Sequence, residues 1–282
     1  MTALVETIRE VREYVTRWRR EGKKVGFVPT MGAFHAGHCS LMARSHKECA
    51  GTIVSIFVNP LQFSAGEDYD RYPRQLHKDL KMAESERVEV VFSPSVAEIY
   101  PKGFGTHVIQ EKSGLPSKLC GQSRPDHFQG VMTVVAKLFS IVKPDVAYFG
   151  QKDYQQYLII RRMAIDLNLG VEARLLPTVR EEDGLALSSR NIYLGPKQRK
   201  DATCLIHALQ RAEELVGSGE SSATRVGGEM RRVINRVKGA RIDYIAIVNS
   251  ETLEPVKEIK GRTLVALAVR IGKARLIDNI LL

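Results

Sequence analysis

Two histidines, His35 and His38, stand three residues apart with Gly37 between them in residues 29–39, PTMGAFHAGHC. On a helix that spacing is close to one turn, so both imidazoles can face the same way. A helix N-terminus offers unpaired N–H groups and the positive end of the helix dipole, which together favour a phosphate. Gly37 removes a side chain that would hold the phosphate away. Imidazoles placed there can donate hydrogen bonds to a triphosphate and follow its charge as pyrophosphate departs. The alternatives are a metal pair or two surface histidines. Against metal, His46, His77, His107, His127 and His207 form no ligand-like cluster. Gly32 and Gly37 have the glycine spacing of a P-loop, but His38 and Cys39 occupy the places of its lysine and hydroxyl residue. No G-x-G-x-x-G follows any strand, so the usual dinucleotide fingerprint is absent too.

Such a loop needs a strand before it and a helix after it. Residues 25–30 (VGFVPT) read as that strand and 40–50 as the helix. The β-branched run 52–59 reads as a fully buried parallel strand. Helices are expected over 74–86, 128–142 and 154–168, with strands at 88–92, 146–149 and 171–179. This alternation predicts an α/β class, a doubly wound Rossmann-like parallel sheet over residues 1–178. From 179 to 282 the texture changes. A turn-rich loop at 183–191 leads to helices at 196–216 and 222–237, then to strands at 242–248, 263–270 and 275–281. That order predicts a second, smaller α+β C-terminal domain, expected to close over the site.

Apolar residues make up 44% and charged residues 26% of 282, which excludes a disordered chain and a disulfide miniprotein. No apolar run reaches the ~20 residues of a membrane span, and the acidic residues in the N-terminal helical pattern argue against a signal peptide. Cys39, Cys49, Cys120 and Cys204 show no paired spacing, so reduced thiols in a cytoplasmic chain are expected. The net charge of +10 invites a nucleic-acid reading. Its distribution argues otherwise. Residues 25–196 carry only +1, while 197–282 carry +6 with Tyr244 as their sole aromatic. RNA recognition would interleave aromatics with those cations. A solvated surface is expected, with neither nucleic acid nor membrane as partner.

The segments PTMGAFHAGH, SIFVNPLQF, DYDRYPR, RPDHFQGV, FGQKDYQQ and DGLALSSRN, in that order, resemble the pantothenate synthetase (pantoate–β-alanine ligase) family of the HIGH nucleotidyltransferase superfamily. A rival within the superfamily is a nucleotidyltransferase acting on a phosphopantetheine or a polyol phosphate; FVNPLQF and KDYQQ speak against it. The resemblance implies that ATP adenylates the pantoate carboxylate and that β-alanine then displaces AMP. No Ser–His–Asp or Cys–His arrangement demands a protein nucleophile, which agrees.

By the same resemblance, Met31, Gly32, Ala33, Phe34, His35, Ala36, Gly37 and His38 line the ATP and pantoate cleft. His38 is the acid or electrostatic assistant there and His35 its phosphate-binding neighbour. Asn59 and Gln62 hold pantoate, with Gln62 also near β-alanine; read alone, they are turn-forming amides after a strand. Gly150, Gln151, Lys152 and Asp153 follow a strand end, Lys152 serving phosphate charge and Asp153 the ribose, while Gln156 reaches pantoate. Without the resemblance Lys152 and Asp153 are equally a surface ion pair. Ser188, Ser189 and Arg190 form a phosphate clamp beside Leu187, with Val179 offering backbone contacts to adenine; a bland Ser/Asn turn is the alternative. Arg124 and His127 sit at the site edge. Mg²⁺ is implied with ATP, Asp79 being a candidate ligand, and a homodimer is implied. Gln151 stands where many members have Glu, and Cys39 where a larger apolar residue is common.

Overall fold

A computed structural model describes residues 2–64, 66–111 and 114–282 of the chain. It divides into two compact units, one of residues up to 117 with 121–150 and 155–177, the other of 118–120, 151–154 and 178–282. Through residue 177 the chain runs β1 (Ala3–Val5), α1 (Ile8–Arg20), β2 (Val25–Thr30), α2 (Ala36–Glu48), β3 (Gly51–Ile56), α3 (Leu76–Ser85), β4 (Val90–Phe92), α4 (Val96–Ile99), α5 (Cys120–Ser123), α6 (His127–Val142), β5 (Val146–Gly150), α7 (Tyr154–Asp166) and β6 (Glu172–Leu176).

The six strands of the first unit are parallel, in the order β1-β4-β3-β2-β5-β6. From β2 the chain winds outward through β3 and β4, then returns to the other side of β2 for β5 and β6. The reversal between β2 and β5 is the point where open sheets of this kind bind ligands. Helices cover both faces. Val28, Val54, Val91 and Tyr148 cluster with Leu41 and Met42 of α2 and Ala83 of α3. Phe27, pointing the other way from β2, meets Phe139 of α6 edge to face, with centroids 6.3 Å apart. Because β2 and β3 are covered on both sides, their sequences are mostly apolar rather than alternating, with Thr52 and Ser55 buried among the apolar residues. The doubly wound fold expected from the alternation is the one observed.

The second unit holds α8 (Pro196–Asp201), α9 (Cys204–Gly217), α10 (Ala223–Asn235), β7 (Ala240–Asn249), β8 (Thr263–Ile271) and β9 (Ala274–Leu281). Its strands form an antiparallel sheet, β7-β8-β9. Leu205 and Leu209 of α9 and Val226, Met230 and Ile234 of α10 pack on Val265, Leu267 and Val269. This is the smaller α+β fold expected.

Several local boundaries differ; the strands expected at 52–59 and 171–179, for example, are shorter, Gly51–Ile56 and Glu172–Leu176. The helix expected over 196–216 is interrupted at 202–203, where the Thr203 and Leu205 N–H groups bond three residues back, to the Lys200 and Ala202 carbonyls, in place of the four-back helical pattern. Helix α2 begins four residues earlier than the pattern suggested. Strand β1, pairing with β4 at the sheet edge, was not anticipated. Among the described residues no helix is long and apolar enough to cross a membrane.

Candidate active site

The loop from β2 into α2 lies at the sheet's reversal point. Gly32 (φ 82°) and Ala33 (φ 52°) both adopt the left-handed conformation and turn the chain sharply after Met31. At Gly32 this suits glycine alone; at Ala33 it costs about 1 kcal/mol. His35 is the N-cap of α2, and its Nδ1 accepts the Gly37 N–H at 3.1 Å. His38 returns the favour: its Nδ1 accepts the His35 N–H at 3.3 Å. The two rings lie 4.1 Å apart between centroids.

This reciprocal cap fixes chemistry as well as structure. A backbone N–H can only donate, so each Nδ1 is unprotonated and each neutral ring carries its proton on Nε2. Both half-buried imidazoles are therefore Nε2–H donors at a helix N-terminus. Phe34 is buried and its ring lies 5.4 Å from that of His38. Ala36 is exposed, while Met31 and Gly37 are half-buried.

Beyond β3, a 3-10 turn (Pro60–Gln62) carries two buried amides. Asn59 donates through Nδ2 to Gln62 Oε1 (3.1 Å) and to the Gly130 carbonyl (3.1 Å). Its Oδ1 accepts from Tyr100 Oη (2.8 Å) and from the Leu61 N–H (3.3 Å). Every donor and acceptor of that amide is thus engaged within the protein. Gln62 Nε2 lies 2.9 Å from Met31 Sδ, so the turn and the histidine loop touch. From the other side His127 Nδ1 donates to the Gln62 carbonyl at 2.8 Å and Arg124 Nη2 at 3.3 Å. Arg124 also grips both oxygens of Glu67 at 2.6 Å. Burial pushes the Glu67 carboxyl up, but Arg124 outweighs it and leaves the group below the usual carboxylate range. Gly150 ends β5, next to β2, and Gln156 lies half-buried in the first turn of α7.

In the second unit, Gln151–Asp153 form a 3-10 turn whose Gln151 and Lys152 carbonyls both accept from Asn279 Nδ2, at 2.9 and 3.0 Å. Lys152 Nζ lies 3.3 Å from Asp153 Oδ2. The buried Asp278 receives Arg180 through both oxygens at 2.6 and 3.0 Å. Val179 and Leu187 pair across a hairpin through the Leu187 N–H and Val179 carbonyl, 3.0 Å. Ser188 caps the 3-10 turn Ser189–Tyr193 by accepting the Arg190 N–H at 3.3 Å. Asn191 Nδ2 ties this turn to Glu181 (2.9 Å) and to the Ala186 carbonyl (3.2 Å).

Asp79, offered by the sequence as a metal ligand, is buried with its oxygens on the Ala33 N–H (2.9 Å) and Phe34 N–H (2.8 Å). Among the described residues no group of three or more His, Cys, Asp or Glu is arranged to hold a metal. Cys39 sits at the same helix start, yet burial and then Glu86 push its thiol up to about 11, so it is no nucleophile at neutral pH. Sequence reasoning missed Tyr100, Gly130, Arg180, Asp278 and Asn279. Only the last two carried a signal, a polar pair inside the apolar strand RLIDNIL.

A doubly wound parallel sheet with an H-x-G-H loop at its reversal point, followed by a smaller α+β unit, defines a class of α/β proteins suited to phosphate-bearing ligands. A family model described as pantoate-beta-alanine ligase matches residues 3–281. A curated pantothenate synthetase of Heliobacterium modesticaldum is 54% identical over 276 residues, 98% of either chain. The crystal structure of pantothenate synthetase from Thermus thermophilus matches with a TM-score of 0.94 at 47% identity, covering 99% of both chains. The pantoate-beta-alanine ligase of Francisella tularensis, solved with beta-gamma ATP and beta-alanine, matches with a TM-score of 0.82 at 34% identity, covering 100% of this chain and 98% of that one. The chain belongs to the pantoate–β-alanine ligase family, and is a ligase by that membership.

Proposed function

We propose that this chain condenses pantoate with β-alanine to pantothenate through a pantoyl-adenylate, consuming ATP and releasing pyrophosphate and AMP. The observation that carries this reading is the reciprocal histidine cap, which leaves two Nε2–H donors at a helix N-terminus. In the first step a pantoate carboxylate oxygen attacks the α-phosphorus of ATP, and the bond to the bridging oxygen breaks as pyrophosphate leaves. His38 and His35 donate to the phosphate oxygens on which charge accumulates, helped by the α2 dipole. Lys152, Ser188, Ser189 and Arg190 contribute further donors to the phosphates, and Asp153 accepts from the ribose hydroxyls. Gln62, oriented by Asn59, and Gln156 hold pantoate by neutral hydrogen bonds, which add no charge beside the attacking carboxylate. In the second step the β-alanine amine attacks the acyl carbon, loses a proton, and AMP departs. No protein nucleophile is required. The ligands named for the Francisella tularensis protein support the choice of ATP and β-alanine.

Phosphoryl chemistry of this kind calls for Mg²⁺. Among the described residues no donor set is arranged to hold the ion, and Asp79 directs both oxygens to backbone N–H groups. Arriving with ATP, Mg²⁺ would supply charge neutralisation at the phosphates. Family resemblance also supports a homodimer working in the cytoplasm.

An AMP-release assay on purified protein, omitting one substrate at a time, tests the reading. AMP should appear only when ATP, pantoate and β-alanine are all present. Release without pantoate or without β-alanine would overturn it.

A further inference from the structure

Asp79 lies in the first turn of α3, 45 residues beyond the loop it touches, and is 1% exposed. Its Oδ2 accepts the Ala33 N–H and its Oδ1 the Phe34 N–H. Those N–H groups belong to the stretch where Gly32 and Ala33 are left-handed. The fit is close: a β-carbon on Gly32 would sit 3.0 Å from Asp79 Oδ2. Phe34, held by its N–H, is buried and packs against the His38 ring.

We infer that Asp79 is a positioning residue, whose carboxylate holds residues 32–34 in the turn that presents His35 and His38. The inference rests on the role proposed above for those histidines. Without the carboxylate, the N–H of the buried Phe34 loses its acceptor, and Ala33 loses the contact that offsets its backbone conformation. The loop would then sample arrangements in which the imidazoles miss the phosphate. A merely structural carboxylate would add to global stability. Here burial pushes the Asp79 carboxyl up in spite of its two N–H donors, so its charged form is held at a cost to the folded state. Such a cost at a loop contact accords with a role in function.

The test is Asp79→Asn, which keeps the shape and one acceptor but turns an NH₂ toward a backbone N–H. Pantoate-dependent pyrophosphate release should fall about 10- to 100-fold, the scale of loss expected when reacting groups are misplaced by about 1 Å. Rates are compared well below each variant's thermal midpoint, so that loss of the buried contact is not read as loss of catalysis. Amide hydrogen exchange over residues 31–38 should quicken at least tenfold, on the order expected for local opening. Adding Ala33→Gly to the Asp79→Asn chain should recover part of the rate, because glycine adopts the left-handed turn unaided. Unchanged exchange and pyrophosphate release would overturn the inference, as would a loss of activity that merely tracks a lower midpoint. A raised Mg²⁺ requirement with unchanged exchange would make Asp79 a metal ligand and also overturn it. Should Asp79→Asn fail to fold, Gly32→Ala strains the same contact from the other side and should quicken the same exchange; unaltered exchange there counts against the inference. If the parent chain shows no pantoate-dependent pyrophosphate release, the proposed function fails, and the exchange measurements still decide whether Asp79 holds the loop.

Discussion

His38 accepts the backbone N–H of His35 at 3.3 Å, so the second imidazole of the loop is tied to the residue that bears the first. Truncating it removes an Nε2–H donor and half of the cap. His38→Ala should lower pantoate-dependent pyrophosphate release by about 10²- to 10³-fold, the usual effect of deleting one donor to developing charge. Attack of β-alanine on preformed pantoyl-adenylate should change far less. Rapid-quench measurement of the two half-reactions separates these; unaltered pyrophosphate release would remove His38 from the mechanism.

Arg190 follows the serines of the Ser188-capped turn. The partner proposed for its guanidinium is ATP phosphate, where a charge-assisted contact contributes about 1.5–3 kcal/mol. Arg190→Ala should therefore raise the ATP concentration for half-maximal rate at least about tenfold, with pantoate dependence little moved. An unchanged ATP dependence refutes the assignment.

A β-carbon on Gly130 would lie 2.1 Å from the Leu61 carbonyl oxygen and 2.6 Å from the Gln62 nitrogen. Helix α6 can approach the Pro60–Gln62 turn only because nothing stands there. Gly130→Ala should cost about 1–3 kcal/mol in urea unfolding, the range for forced overpacking. It should also raise the KM for pantoate, because Asn59 Nδ2 uses the Gly130 carbonyl. A wild-type urea midpoint would show that α6 retreats without penalty.

Glu67 carries a pH signature. Its folded carboxyl is held lower than the ordinary 4.5, so the Arg124 pair stabilises the fold above that pH and loses its effect as acid protonates the group. Glu67→Gln should therefore cost about 1–2 kcal/mol at pH 7 and progressively less at a pH well below 4.5. Urea midpoints at the two pH values check this, and a difference that persists in acid would assign the stability to shape rather than charge.

Much of the scaffold was legible in the residues, because β3 and α6 are buried on nearly all sides and their apolar runs announce it. The H-x-G-H loop was legible through its chemistry. The start of α2 was not, since its N-cap is a histidine rather than the Ser, Thr, Asp or Asn that usually marks a helix entry. Strand β1 has only 3 residues, too few for any periodicity to show, and its pairing with β4 depends on chain 87 residues away. The hold of Asp79 on Phe34 and of Tyr100 on Asn59 likewise spans 45 and 41 residues with no local trace. Contacts of that kind belong to the topology, and only the folded chain displays them.

Asn59 enters the site with its amide already saturated by Gln62, Gly130, Tyr100 and Leu61. The ordering of the Gln62 side chain is therefore completed when the protein folds, not when a substrate arrives. A ligand meeting that glutamine finds its rotamer chosen, and the entropy loss on association falls mainly on the ligand's own tumbling and torsions. Tyr100→Phe, by freeing one acceptor, would move part of that ordering back into the binding event, where calorimetry would register it as a larger unfavourable entropy.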